Sequence, residues 1–495
     1  MNIPRLIARC QHWKELAVQR RKQAEAKARL AEKWKARALD AQAQLKAANL
    51  QNTALTRLVA TPPPPVVQVN IRVVCVFLFF LGTISCRAVS RILSFMRSIE
   101  RFQCRKIPCY GSVVNWVCRT GLGLLQDVSS WGKRRWIAII DTSIVYCGKK
   151  ALVVLRVPLD HFSHNTHAPT LSEVECIAVE LSTVWDGETV AASLKKVFKV
   201  AGNPTAILKD GGCDLKKGVD ILPKNDVPIF TIRDVGHVAA NELKRMYAKD
   251  PWFINFLDKV NICCKRLFQT KISFLRPPKI RTKGRFQNMS RVLAWAEKIE
   301  NLLNVRGRAK KNSVVDILRH ALPGFSKFKV FVSRFSNDCR VVNEFMMVLK
   351  NNGLNQKTYQ KSKEILNKLT KTSKLQRNLQ KWLDEHMRLQ CLLKMEQTPL
   401  LVSTDYIESL MGRIKHTIER NPLPEFGRLV LATPLFCGKH SQEKILACLE
   451  AVSQKQFQQW QADTLGDTTR RQKRSALCSP VLKTRVPDPP IAYAG

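Results

Sequence analysis

The spacing of apolar residues changes repeatedly along this chain, and each change announces a different element. Residues 11 to 58 contain neither glycine nor proline and are dense in Ala, Leu, Lys, Glu and Gln, which predicts one long helix. Ala17, Ala24, Ala31, Ala38 and Leu45 recur every seven residues, with Trp13, Trp34, Ala41 and Ala48 on the companion position and Arg20 and Lys27 interrupting it. An imperfect seam of this kind suits a weak coiled coil, so self-association is expected ahead of a solvated helix that pairs with nothing. "TPPPP" (61–65) ends the helix and acts as a stiff linker. Three short helical patterns follow: "VVCVFLFFL", "SCRAVSRILSFMRSI" from Ser85 and "YGSVVNWVCRTGLGLLQ" from Tyr110. Ser85 and Ser112 suit N-caps and Gly121 suits a stop.

The pattern then shortens to strand-length apolar runs at 135–146, 151–157 and 175–185. A helix "GETVAASLKKVFKVAG" leads to strands at 204–210 and 227–234, joined by a linking segment, and to a helix "GHVAANELKRMYAKDP" that Pro251 closes. Hairpin-type strands followed by alternating helix and strand predict an α/β sheet of mixed strand direction. From about 252 to 400 the pattern is almost wholly helical and very basic, broken by "PPKIRTKGR" and "VRGRAKKN" and ending in one long tract from Lys357. "STDYIESLMGRIKHTIERNP" returns to an amphipathic helix, started by Ser403 or Thr404 and stopped at Asn421-Pro422. "EKILACLEAVSQKQFQQWQ" reads as a further helix, and the basic, proline-bearing tail from Thr468 reads as disordered.

Charge narrows the function. Among 495 residues, 82 Lys+Arg stand against 39 Asp+Glu, a formal charge of +43, which calls for an anionic partner, most commonly nucleic acid. The three short helices carry Arg87, Arg91, Arg97, Arg101, Arg105 and Lys106, which suits a helix-turn-helix DNA reader. The 16 cysteines are scattered with no C-x-x-C pair, so they read as reduced thiols of an intracellular protein rather than as a zinc or disulfide framework. The membrane candidate Val73–Ser85 spans 13 residues, against the ~20 that a bilayer requires, so a buried helix and no membrane partner are expected. No phosphate-cradling glycine loop is present, which argues against nucleotide hydrolysis.

The candidate chemistry begins with a carboxylate inside an apolar strand, Asp141 in "RRWIAIIDTSIVY". Burying an ionised carboxylate costs several kcal/mol unless something compensates it. Asp210 ends a second strand in "AILKDGG", and Glu408 sits in the return helix with Lys415 seven residues on, on the same side. Three carboxylates converging from two strands and a helix can hold two Mg²⁺ (or Mn²⁺) ions, which would serve as counterions to Asp141. Singly, each residue has an ordinary structural role; together and in this order they favour a catalytic site. His161, His164 and His167 in "HFSHNTH" invite a zinc site, but no cysteine or further histidine completes the set, and a polar loop is expected there. Trp295 could stack on an unpaired base, although its spacing with Val292 and Ile299 favours packing.

At these residues the chain resembles the DDE transposases, whose catalytic core is RNase H-like. "IIDTSI" is similar to their first-Asp strand, "LKDGG" to the second-Asp turn, and "IESLMGRIK" to the Glu helix with its basic residue; that helix also carries Arg413. "DVGH", Asp234 to His237, resembles the [C/D]-x-x-H motif of members in which a helical insertion precedes the Glu, and 198 residues separate Asp210 from Glu408 here. The match covers roughly 130–435, and an N-terminal oligomerising helix followed by DNA-reading helices is typical of the bacterial insertion-sequence kind. The resemblance implies a DNA transposase acting through hydrolysis and strand transfer at element ends, with Asp141, Asp210 and Glu408 as catalytic metal ligands. Lys415, Arg413, His237, Asp234 and Trp295 become auxiliary candidates, with Asp234 and His237 expected to link insertion to core rather than to bind metal. DNA, a second copy of the chain and a cytoplasmic, nucleoid-associated setting are the implied partners and place. A structure-selective nuclease of the same fold and an inactive DNA-binding derivative are the alternatives.

The implied architecture is an α/β RNase H-like core with a mixed five-stranded sheet, interrupted by a large all-α insertion. Its parts are a coiled-coil helix (1–60), a linker (61–70), a helix-turn-helix domain (71–128) and the first part of the core (129–250). The insertion (251–400), the Glu helix (401–440), a C-terminal helix (441–467) and a disordered tail (468–495) complete it.

Overall fold

In the computed structural model the described residues are 3–60, 70–99, 106–146, 149–222, 228–280, 286, 289–371, 373–419, 427–466, 474, 475 and 477. The expected stop at Asn421-Pro422, most of the tail, and Arg101 and Arg105 lie outside them. Two units divide at Val69/Asn70. The first is a single helix, α1 (Ile3–Ala60), slightly longer than its glycine-free stretch suggests. Within that unit Trp13, Leu30, Trp34, Leu39, Leu45 and Leu50 are all more than half exposed.

The second unit begins with α2 (Ile71–Leu81), α3 (Cys86–Arg97) and α4 (Tyr110–Gln126). Ser85 caps α3 as expected, its Oγ accepting from the Ala88 N–H at 3.1 Å. Helix α2 buries Val73, Cys75, Val76 and Phe79 in the core, and among the described residues no helix is long and apolar enough to cross a membrane. Two local expectations for α4 fail. Its cap is Cys109, with Ser112 inside the first turn, and Gly121 does not stop it. A Cβ at Gly121 would collide with the Leu431 carbonyl, and one at Gly123 with the Cys448 carbonyl. These glycines therefore let two backbones close on α4, and a signal that usually marks a helix end here marks close packing. The backbone meeting Gly121 belongs to a buried ten-residue 3-10 run, Gly427–Phe436, which no pattern in the sequence announces.

Strands β1 (Trp136–Tyr146) and β2 (Lys149–Pro158) form a hairpin. A short helical turn, α5 (His161–His164), leads to β3 (Glu175–Ser182), antiparallel to β2. Helix α6 (Gly187–Ala201) crosses over to β4 (Ala206–Lys209), which lies parallel to β1. The linking segment is itself a helix, α7 (Cys213–Ile221), before β5 (Phe230–Arg233), parallel to β4. The sheet order is β3-β2-β1-β4-β5, five strands of mixed direction. Helix α8 (Val235–Tyr247) follows, and Pro251 opens the next helix instead of closing this one, with Asp250 as its cap. Proline lacks an N–H that the first helical position does not need.

Six helices then build the basic segment: α9 (Pro251–Leu267), α10 (Met289–Leu303), α11 (Val314–Ala321), α12 (Lys329–Asn352), α13 (Gln356–Leu366) and α14 (Lys374–Leu392). The tract expected to be one helix is two, because Ser373 caps α14 with no glycine or proline to mark the break. The chain returns in α15 (Asp405–Glu419), and the last expected helix is again two, α16 (Gln442–Ala451) and α17 (Gln454–Leu465), broken at the Ser453 cap. Most of the described cysteines are buried free thiols.

Candidate active site

Strand alternation decides where the carboxylates point. Ala138, Ile140 and Ile207 face a core shared with α6, while Ile137, Ile139, Leu208 and Ile232 face the core shared with α8 and α15. Side chains two residues apart share a face, so Asp141, Asp210 and Asp234 continue the second set. Register aligns them: Ile140 pairs with Lys209 and Lys209 with Arg233, so the three aspartates follow side by side where the parallel pairing of β1, β4 and β5 stops, while β1 itself runs on to Tyr146 against β2. Parallel neighbours lie about 4.8 Å apart. The hairpin register shifts between Thr142 and Ile144, an irregularity directly beyond Asp141.

Each aspartate has a different environment. Burial, then the charge of Asp210, pushes the Asp141 carboxyl up to about 6, with the Thr142 N–H at 2.6 Å partly opposing this. Asp210 accepts from the Gly212 N–H at 2.8 Å, which closes the turn after β4. Asp234 is 2% exposed and fully engaged. Its Oδ2 accepts from the His237 N–H (2.6 Å) and faces His237 Nδ1 at 2.9 Å, while its Oδ1 accepts from the Thr404 N–H at 2.8 Å. Burial alone would raise its carboxyl, but the His237 and Thr404 bonds bring it below the usual range. The Val235 N–H also donates to the Val402 carbonyl at 3.0 Å. Asp234 thus ties the start of α8 to the start of α15 and sets where Glu408 enters.

Glu408 lies in the first turn of α15, about half exposed, with its Oε1 4.0 Å from His237 Nε2. Surrounding protein raises its carboxyl, and His237 opposes the shift. The bond to Asp234, then the charges of the nearby carboxylates, raises the His237 imidazole to about 9. Ser403 Oγ accepts from the Asp405 N–H (3.2 Å) directly before α15, and the Thr404 carbonyl accepts from the Ile407 N–H at 3.0 Å. Lys415, Arg413 and Gly412 lie on the exposed side of α15.

The charges of Asp141, Asp210, Glu408 and His237 act on one another, so these side chains converge. Among the described residues their carboxylate oxygens do not close to within 4.8 Å as a group of three. The group that does among the described residues is His161, His167 and Glu173. Glu173 is the third member that histidine spacing alone did not reveal, while His164 faces Asp160 at 3.4 Å. Loop bonds already engage them: His161 Nε2 with the His167 carbonyl (3.0 Å), and Glu173 Oε2 with the Thr170 N–H (2.8 Å) and hydroxyl. Trp295 donates its indole N–H to the Leu275 carbonyl (2.8 Å) and sets its ring edgewise to Phe325, the geometry of a packing residue.

Two residues at the site escaped the sequence reading. His386 of α14 lies 3% exposed and stacked on Trp382, and its Nε2 accepts from the Arg233 N–H at 3.0 Å, directly before Asp234. Burial lowers its pKa to about 4, which keeps that nitrogen an acceptor. Lys350 of α12 reaches Asp405 Oδ1 at 2.6 Å. Neither stands near the site in sequence, and no local motif marks them.

No family model matches this chain, and no curated protein does. Among solved structures, the chain is similar to the Drosophila P element transposase strand transfer complex at 10% identity and a TM-score of 0.39, covering 83% of this chain and 100% of that one. A likeness of that size assigns neither fold nor function, which leaves the geometry of the site to do so.

Proposed function

We propose that this chain is a DNA transposase of the DDE kind with an RNase H-like core, cutting phosphodiester bonds at the ends of a mobile element and joining the freed 3′-hydroxyls to target DNA. One observation carries the reading. Asp141 lies mid-strand in β1, Asp210 directly follows its parallel neighbour β4 in a β3-β2-β1-β4-β5 sheet, and Glu408 enters from a helix on the same face, after a helical insertion. Asp141, Asp210 and Glu408 offer only hard oxygen donors, and the raised Asp141 carboxyl is one that a divalent cation would relieve. These residues would hold two Mg²⁺ or Mn²⁺ ions. When bound, such ions activate an attacking water or 3′-hydroxyl and stabilise the leaving oxygen. Asp234 orients His237 and α15, and Lys415 and Arg413 offer cations to phosphate on the exposed side of that helix.

Charge and the N-terminal helices support DNA as the partner. Helix α4 exposes only its two ends, Tyr110 and Gln126, whereas α3 exposes Arg87, Arg91 and Arg97. In a helix-turn-helix reading, α3 is therefore the helix that enters the major groove, and α4 is its support. The exposed apolar positions of α1 suit pairing with a second copy, which holding two DNA ends requires. The test is Mg²⁺- or Mn²⁺-dependent nicking and joining that disappears in Asp210→Ala; undiminished nicking by that variant rejects the site. Cleavage without joining would make the protein a nuclease of the same fold. The insertion-sequence kind would be marked in the flanking DNA by inverted repeats bracketed by short direct duplications.

A further inference from the structure

Lys350 stands near the C-terminal end of α12, far from the carboxylates in sequence, yet its Nζ lies 2.6 Å from Asp405 Oδ1 at the start of the Glu408 helix. A Cβ placed on Gly236 would lie 3.2 Å from that Nζ and 3.2 Å from Asp234 Oδ2, so the lysine passes close over Gly236, where a side chain would crowd it. Its charge acts on Glu408. The lysine side chain is 21% exposed and its partner Asp405 46%, so the pair borders solvent at the rim of the site. Asp405 bonds it and Asp234 lies close by across Gly236. A DNA phosphate approaching these carboxylates meets repulsion unless cations line the rim.

The geometry points to Lys350 as a phosphate-binding residue that the helical insertion supplies to the catalytic site. It rests on Asp405 in the free protein and engages a non-bridging oxygen of the DNA backbone when substrate binds. This assignment rests on the transposase reading above. An ammonium has three donors, so it can keep Asp405 and take a phosphate oxygen at once. The insertion then contributes directly to substrate binding, beyond tying α8 and β5 in place. Asp405 is the residue that holds the ammonium in position, and it touches no substrate.

Three variants of the full chain test this: Lys350→Met, Lys350→Arg and Asp405→Asn. Two readouts are used, Mn²⁺-dependent nicking of supercoiled plasmid and the salt dependence of binding to a mixed-sequence duplex in Ca²⁺. Lys350→Met is expected to nick about tenfold or more slowly, the loss typical of one charged hydrogen bond. It should also reduce the slope of log affinity against log salt by about one. Lys350→Arg keeps the slope, and Asp405→Asn, which loosens the ammonium without removing it, slows nicking less than Lys350→Met and keeps the wild-type salt slope. If Lys350→Met and Asp405→Asn instead lose activity and thermal midpoint equally, with the salt slope unchanged in both, the pair is a structural tie and the assignment is overturned. Asp210→Ala run alongside separates the two ideas: equal nicking by that variant and wild type rejects the catalytic site, while the salt slope still reports on Lys350.

Discussion

The two faces of the sheet are built from the same three parallel strands and carry opposite roles. Toward α6, Ala138, Ile140 and Ile207 meet Val190, Ala191 and Leu194 in a closed apolar layer. Toward α15, Ile137, Ile139, Leu208 and Ile232 are equally buried, but the next residue on that face is an aspartate in each strand. The difference lies where the parallel pairing of the three strands stops. There β4 and β5 turn away while β1 continues in its hairpin with β2, and a helix can bring a fourth carboxylate alongside. One face holds the sheet together, and the other uses that rigidity to fix charges.

Breaking the charged face should have the largest effect on activity and little on folding. Asp141→Ala, Asp210→Ala or Glu408→Ala is expected to lower metal-dependent DNA cleavage by about a thousandfold or more, since each removes a proposed metal ligand from a site that would supply several kcal/mol. Circular dichroism and the thermal midpoint should stay near wild type. The apolar face should respond the other way. Leu194→Ala, at a fully buried position, is expected to cost about 2–5 kcal/mol in denaturant unfolding, while cleavage per folded molecule is retained.

Asp234→Asn sharpens the contrast between a ligand and a positioning residue. It removes the charge that holds His237 at about 9, so the imidazole should titrate near its ordinary value, which NMR would read. A raised histidine pKa contributes stability that is complete below the ordinary value and is lost as pH rises through about 9; the variant should lose that dependence. Cleavage should fall by about tenfold or more, on the scale of one charged hydrogen bond.

The smallest effect is the pH profile of the wild type. The Asp141 carboxyl must lose its proton to hold metal, so at limiting Mg²⁺ cleavage should rise as pH passes through about 6. Saturating metal should move that rise to lower pH. In the metal-free protein the same raised pKa acts in the opposite sense on stability, which is greatest below the ordinary carboxylate value and declines as pH rises through about 6.

Much of this was legible in one dimension. Alternation and length located all five strands, the Ser85 cap and the helix that carries Glu408, because burial of one face imposes a period that a chain displays directly. Asp141 stood out because an apolar strand rarely keeps a carboxylate. The errors share a cause. Gly121 read as a stop, Pro251 as a terminator, and the tracts from Lys357 and Glu443 as single helices, since the same residues serve ends, starts and close contacts depending on what packs against them. Asp234 caps α8 within its own segment, but its grip on Thr404 depends on a segment far away in sequence.

By itself, then, the sequence determined the class of most elements and the excess of positive charge, and it singled out Asp141, Asp210 and Glu408 as candidates, because these follow from composition and local period. Tertiary structure decided which strands are neighbours, which face the aspartates share, that α4 is buried while α3 is open, and that His386 and Lys350 arrive from the insertion. Contacts between distant segments depend on loop closure and on the fit of whole surfaces, and no local pattern encodes those.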